Sequence, residues 1–311
     1  MIDRMTININ FNRKSDRYKM ERLKDIPHRG NLDDSYKIIK ELGFGAMGIV
    51  YLVEGVDGEQ FALKQLTYND PRLHQQALKE YLLIRRLGPV PNLVEYRDLF
   101  YAQKGGEMKL FILMNYYPGE SLFELLDTSK IELPDIVQII DQLLEVVRVL
   151  HRNGFIHGDI KTENIIYSRG EATLIDPGMA CAVRGHLDTC DPMMRFGTSG
   201  LISPELVYHN ICDQPVVIES LPASDLWSLG LVFWSLLLGY SIEQDLEEYL
   251  DCEENLDRFI VELRRSDPIG IIESEYPVLD SFVQGFLEYD YKRRITASEA
   301  QKIFVDIRGF L

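Results

Sequence analysis

His157-Gly158-Asp159-Ile160-Lys161-Thr162-Glu163-Asn164 is followed by Ile165-Ile166-Tyr167, then Ser168-Arg169-Gly170-Glu171, then Ala172-Thr173-Leu174-Ile175-Asp176-Pro177-Gly178. The two apolar, β-branched runs read as short strands and the four residues between them as a tight connection. A hairpin there brings its ends together, so Asn164 and Asp176 face one spot. Two oxygen ligands at one spot suit Mg²⁺, which takes few protein carboxylates and shares its shell with phosphate. Asp159 lies just upstream, placed to orient a hydroxyl, and Lys161 is placed to meet a transferring phosphoryl group. Acids beside glycine are also common in ordinary turns, so the rest of the chain decides whether this stretch carries chemistry.

At 311 residues, 46% hydrophobic and 26% charged, the chain is expected to be a soluble globular protein with a substantial core and two lobes. A net charge of −16 argues against nucleic acid as a partner, because neutralising phosphates needs clustered Lys and Arg. It is compatible with basic peptide substrates. Cys181, Cys190, Cys212 and Cys252 show no CxxC pairing and no metal-like spacing, so reduced thiols are expected. The start of the chain lacks an apolar h-region, which points to no signal peptide and a cytoplasmic setting. The run Leu226 to Tyr240 is expected to be too short to span a bilayer and to form a buried core helix.

Residues 1–34 are polar and locally basic and read as a flexible arm, with docking of this arm on the acidic body as a sharper alternative. From Tyr36 the pattern is strand, glycine-rich turn (Gly43-Phe44-Gly45-Ala46-Met47-Gly48), strand (Ile49 to Val53), turn, and strand (Gln60 to Leu66). A dinucleotide-binding fold needs a helix directly after such glycines. The β-branched run that follows fits a hairpin lid over phosphates instead. Lys64 stands in an apolar strand, where an unpaired ammonium is costly. The next helix starts at Pro71 and stops at Gly88-Pro89, and Glu80 within it is the candidate partner, a solvated glutamate being the alternative. Two further strands, Leu93 to Tyr101 and Lys109 to Met114, lead to the linker Asn115-Tyr116-Tyr117-Pro118-Gly119. Helices follow, over Ser121 to Asp127 and Pro134 to Asn153. The fold class expected is α+β in two lobes: a small β-rich lobe over 35–116 and a larger, mainly helical lobe over 117–311.

Taken in order, these residues resemble the eukaryotic-type serine/threonine protein kinases over roughly 36 to 308. Gly43, Gly45, Gly48 and Val50 match the glycine-rich loop, Phe61-Ala62-Leu63-Lys64 the phosphate-binding lysine strand, and Glu80 the helix-C glutamate. His157-Gly158-Asp159 with Asn164 matches the catalytic loop, and Asp176-Pro177-Gly178 the metal-binding triplet. Ser203-Pro204-Glu205 resembles the triplet that closes the activation segment, with Arg294 as the partner of Glu205. Asp225-Leu226-Trp227-Ser228-Leu229-Gly230 resembles the start of the buried central helix whose aspartate braces the catalytic loop. The resemblance implies an ATP site formed by Gly43, Gly45, Gly48, Val50, Ala62, Lys64, Glu80, Met114 and Tyr116. It implies Mg²⁺ on Asn164 and Asp176, and catalysis by Asp159, Lys161 and Asn164. Protein substrates and autophosphorylation are implied with them. Lysine two residues after Asp159, and Thr198, point to the serine/threonine type.

Four departures stand out. Gly158 replaces the arginine that normally binds an activation-loop phosphate, so less dependence on loop phosphorylation is expected. Thr189, Thr198 and Ser199 are the candidate phosphosites, with Arg184 and Arg195 as candidate partners. Pro177 replaces a phenylalanine and is expected to restrict the triplet. Ser121 stands where an acid often holds the ribose, and Leu201 where a tyrosine is frequent. His-Gly-Asp with Ile-Asp-Pro-Gly also resembles small-molecule phosphotransferases of the aminoglycoside and choline type, and a pseudokinase scaffold is a second alternative. The acidic stretch from Ser241 to Glu262 reads as a solvated face, with recognition of basic substrate residues as the alternative.

Overall fold

A computed structural model of the chain describes residues 23–45, 47–67, 70–128, 131–183, 190, 197, 201–212, 215–242 and 274–311. Thr189, Thr198, Ser199, Arg184, Arg195 and nearly all of the acidic stretch after Ile242 lie outside them.

The first lobe is a six-stranded sheet in the order β1-β5-β6-β4-β3-β2 with one helix against it. Its strands are β1 (His28–Asn31), β2 (Tyr36–Gly45), β3 (Gly48–Gly55), β4 (Gln60–Leu66), β5 (Tyr96–Lys104) and β6 (Glu107–Asn115). The two hairpins β2–β3 and β3–β4 put Val50 opposite Lys64, and β4–β6 puts Ala62 opposite Met114. The helix, α1 (Pro71–Leu87), begins where sequence chemistry directs. Pro71 opens it, and the Asp70 side chain accepts from Arg72 N at 2.8 Å. It stops where Gly88 takes φ of 75°.

The loose arm expected over residues 1–34 is corrected for its second half. Residues 28–31 form β1, parallel to β5 at the sheet edge, with Tyr101 N donating to Pro27 O at 2.8 Å. Ile26 and Leu32 on either side are buried, and Arg29 pairs with Asp98 and lies 4.4 Å over the Phe100 ring. Two apolar anchors and a cation–π contact outweigh the polar composition from which looseness was inferred. Residues 1–22 lie outside the described residues.

The second lobe is mainly helical. After β7 (Glu120–Ser121) come α2 (Leu122–Thr128), α3 (Leu133–Arg152), β8 (Phe155–Ile156), β9 (Ile165–Ser168), β10 (Glu171–Leu174) and β11 (Cys181–Ala182). They are followed by α4 (Pro204–Cys212), α5 (Leu221–Leu238), α6 (Pro277–Gln284) and α7 (Ala297–Ile307). Along α3, Ile136, Ile139, Ile140, Leu143, Leu144, Val147 and Leu150 are buried at helical spacing. The expectation that the apolar run of α5 falls short of a membrane span needs revision. With its preceding turn, Ile218–Leu238 is long and apolar enough on length and composition alone, but 72% of its 18-residue apolar window is buried inside the protein. It packs closely because Gly230 lets Phe286 approach to where a Cβ would stand 2.6 Å away. Ser121 and Glu124 cap α2 reciprocally, with Ser121 Oγ 3.0 Å from Glu124 Oε2. The lobes are stitched by backbone: Val94 N donates to Leu174 O at 2.9 Å, and Leu174 N to Asn92 O at 2.8 Å.

Candidate active site

The loop over residues 157–164 leaves β8 and is held by one carboxylate. Asp225, buried in α5, accepts from His157 N at 2.8 Å and from Gly158 N at 2.9 Å. His157 is fully buried. Its Nδ1 accepts from Asp159 N at 3.4 Å and its Nε2 donates to Ile175 O at 3.2 Å. A carbonyl can only accept, so the ring is the neutral Nε2–H tautomer. Burial pushes its pKa below the ordinary histidine value. Gly158 has φ of +82°, and a Cβ there would stand 2.8 Å from Met179 O. Any side chain at 158, arginine included, is therefore both strained and obstructed.

The expected hairpin is present. β9 and β10 pair antiparallel with Ile165 opposite Leu174, through a turn in which Arg169 and Gly170 both have positive φ. Ile175 N donates to Asn164 O at 2.8 Å, which closes the open end. Asn164 Nδ2 donates to Asp159 O at 2.9 Å and to Asp159 Oδ2 at 3.1 Å. Lys161 Nζ lies 3.8 Å from Asp159 Oδ2. Asp176 has φ of +53°, a left-handed conformation that aspartate tolerates better than most residues. Side-chain contacts thus join Lys161 and Asn164 to Asp159, and backbone pairing at Ile175 sets Asp176 next to Asn164.

Lys64 joins them from β4, although not through the expected partner. Its Nζ donates to Asp176 Oδ1 at 2.5 Å, rather than pairing with Glu80. Glu80 is buried to 2% exposure on α1 and accepts instead from the Tyr96 hydroxyl on β5. The physical reason is local supply: a buried carboxylate takes the nearest donor, and Tyr96 reaches Glu80 from across the sheet–helix interface. Glu80 still lies close enough to matter electrostatically. Burial lowers the Lys64 pKa, but the carboxylates of Asp176 and Glu80 outweigh it and hold the ammonium above its ordinary value. Burial raises the Asp176 carboxyl, but Lys64 more than offsets this and holds it below the usual carboxylate range. Glu80 is pushed up by burial.

The lid carries two kinds of glycine. A Cβ on Gly48 would stand 2.1 Å from Gln65 O, so strand pairing itself demands glycine there. Cβ atoms on Gly43 or Gly45 would meet nothing within 4 Å. Phe44, between them, is 72% exposed. Ala62 and Met114 are buried side by side on β4 and β6, and Tyr116 follows in the linker, half-buried.

Three features escaped sequence reasoning. Gln76 on α1 donates from Nε2 to Gly178 O at 2.8 Å, which ties that helix to the Asp176 triplet. Tyr96 was read only as a strand residue, and no local signal marks a tyrosine that will face a glutamate on another element. The reduced thiols expected at all four cysteines are corrected for two of them: Cys181 and Cys190 form a disulfide with Cα atoms 5.1 Å apart. Spacing alone cannot reveal such a pair, because it depends on where the chain turns. The closing ion pair, by contrast, stands where the sequence placed it. Arg294, its side chain fully buried, bonds Glu205 through Nη1–Oε1 at 2.7 Å and Nη2–Oε2 at 3.0 Å.

Comparison with known proteins agrees with this geometry. The family model described as the protein kinase domain matches residues 36–304. Serine/threonine-protein kinase PAK 1 of Mus musculus is 27% identical over 291 residues, covering 92% of this chain and 49% of that protein. The chain therefore spans about half the length of the curated relative it matches.

Proposed function

The chain belongs to the protein kinase domain family, and we propose that it transfers the γ-phosphate of ATP to serine and threonine hydroxyls of protein substrates, itself included. The single observation that carries this reading is the convergence of Asp159, Lys161, Asn164, Asp176 and Lys64 from two lobes on one cleft. Asp159 orients the substrate hydroxyl and takes its proton. Lys161 faces the phosphoryl group in transit, and Lys64 holds the nucleotide phosphates. Gly43 and Gly45 lie over the phosphates, while Val50, Ala62, Met114 and Tyr116 bound the base. Catalysis is then mostly positioning and charge stabilisation, since phosphoryl transfer asks little covalent chemistry of the protein.

The donor set suits Mg²⁺. Among the described residues no cluster of three or more His, Cys, Asp or Glu forms a closed metal cage. Asn164 and Asp176 supply two oxygens, which matches an ion that keeps waters and substrate phosphates in its shell. The Lys64 ammonium on Asp176 marks that carboxylate as a cation-binding position. Bound there, the ion would neutralise charge on the phosphates.

A protein substrate is favoured over a small alcohol by the buried Glu205–Arg294 pair, which anchors the chain following the cleft. The net charge of −16 favours basic sequences around the target. Gly158, where an arginine would face a phosphorylated loop, favours activity that does not wait on that modification. Labelled ATP offered with the chain alone, a basic generic protein and small alcohols separates the readings. Label on protein is expected; label only on small alcohols, or none, overturns the proposal. Asp159→Ala and Asp176→Ala should each lower transfer at least about a thousandfold with an unchanged circular dichroism spectrum. Wild-type-like transfer in either would remove the assignment.

A further inference from the structure

The cysteine pair sits at a mechanically sensitive place. Cys181 lies in β11 directly opposite Ile156 of β8, and Ile156 is followed by His157 and the candidate catalytic loop. Upstream, Gly158 packs against the Met179 backbone. Cys181 and Cys190 are 2% and 8% exposed, and they share an apolar cluster with Ile156, Leu206, Val216 and Leu221. That cluster joins β8 and β11 to α4, whose first turn holds Glu205 on Arg294. The sulfur bridge thus ties the chain just after the Asp176 triplet to the packing that supports the Ser203-Pro204-Glu205 end. It closes only nine residues. A short loop gains less from cross-linking than a long one, and the packing next to the bond depends on it directly.

We infer that Cys181 and Cys190 form a reversible redox modification site that sets the activity of the proposed kinase, oxidised by a peroxide and reduced by a dithiol. One thiolate attacks a peroxide oxygen, giving a sulfenic acid and releasing water or hydroxide. The second thiolate attacks that sulfur, forms the S–S bond and expels the remaining hydroxide as water. Overall two thiols and one hydrogen peroxide become one disulfide and two waters. A dithiol reverses this by exchange through a mixed disulfide and is itself left oxidised. The bridged form is the braced one: Cys190 is fixed beside β11, its Sγ 3.2 Å from Ala182 O, and the apolar cluster under α4 is complete. Reduction removes the covalent link and leaves Cys190 held by apolar contact and by a thiol that can donate weakly to Ala182 O. Its effect on activity rests on the protein-kinase reading, whereas its effect on the chain does not.

The wild-type chain is treated with hydrogen peroxide or dithiothreitol, alkylated and digested with trypsin. Arg184 lies between the two cysteines, so their peptides stay together only through sulfur. Joined peptides are expected after peroxide and separately alkylated ones after dithiothreitol. Amide exchange over residues 201–207 is expected to be about tenfold slower in the joined form. KM for a protein substrate should be about fivefold lower in the joined form, with KM for ATP changed less than about twofold. Cys181→Ala/Cys190→Ala should behave as the reduced form and ignore peroxide, whereas Cys212→Ser/Cys252→Ser should respond as wild type. Peptides alkylated separately after peroxide, or joined and reduced forms that exchange alike, would overturn the inference. An exchange difference without phosphate transfer in either form would overturn the kinase reading and leave the redox site standing. Transfer with equal substrate KM in both forms would overturn its regulatory part.

Discussion

His157 shows how one side chain can brace two segments of the candidate site at once. Its ring spans from Asp159 N to Ile175 O, so it fixes the residue proposed as base and the residue before the proposed metal ligand. This works only while the ring is neutral, because a protonated Nδ1 has no lone pair for the Asp159 amide. Burial depresses its folded-state pKa below the ordinary 6.5. The unfolded chain therefore takes up the proton first as pH falls. The stability this residue contributes is full above about pH 6.5 and is lost as pH drops further toward the folded-state value. Urea midpoints at pH 7.5 and 5.5 should show a larger acid loss for wild type than for His157→Gln, whose amide can still donate to Ile175 O. The difference should approach about 1.4 kcal/mol per pH unit in the titrating window. Equal acid losses in the two proteins would remove His157 from the account.

At the scale of elements, the first lobe's helix is secured by side chains that read poorly in sequence. Helix α1 meets the sheet through the Tyr96 hydroxyl on Glu80, and the Asp176 triplet through Gln76 on Gly178 O. A third link runs from His74 Nδ1 to the Tyr101 hydroxyl at 2.9 Å, and His28 of β1 stacks on that same tyrosine. The edge strand, the sheet and the helix therefore form one assembly. Tyr96→Phe removes a donor and leaves a buried carboxylate short of its partner, which typically costs about 1–3 kcal/mol. Denaturant midpoints should report that loss. Glu80 would then be left to Lys64, and KM for ATP should change with it. A Tyr96→Phe protein as stable as wild type would mean that Glu80 finds another partner.

Across the whole molecule, two ion pairs do different jobs. Lys64–Asp176 crosses between lobes at the cleft. Arg294–Glu205 locks the far end of the second lobe, where the guanidinium also donates to Glu288 O at 3.0 Å and Ala223 O at 2.7 Å and lies 5.1 Å over the Trp227 ring. Breaking a buried pair by neutralising one member strands the other charge, and about 3–5 kcal/mol is the usual cost. Glu205→Gln should therefore lower the thermal midpoint clearly. Arg294→Lys should do nearly as much, because an ammonium cannot reproduce the planar two-point grip. A midpoint unchanged in both would show that the lobe does not depend on this lock.

Much of this architecture was legible in local sequence because local physics governs it. Pro71 and Gly88 bounded α1, apolar β-branched runs marked the strands, and the turn before Glu171 closed the hairpin that joins Asn164 to Asp176. The candidate catalytic residues were legible for the same reason: their spacing along a loop and a hairpin already determines that they meet. Two distant partnerships, Arg294 with Glu205 and Asp225 with the loop over residues 157–164, were legible through the family resemblance, whereas those of Lys64, the residue 28–31 segment and Cys181 were not. Sequence reasoning gave Lys64 to Glu80, residues 1–34 to a flexible arm and all four cysteines to reduced thiols, and the structure differs at each of these. Composition is blind to such choices, since each depends on which group is nearest once the core has closed. Only the tertiary structure gave Lys64 to Asp176, Glu80 to Tyr96, residues 28–31 to the sheet edge and Cys181 to Cys190. A buried charge or an apolar anchor takes the partner that packing puts within reach.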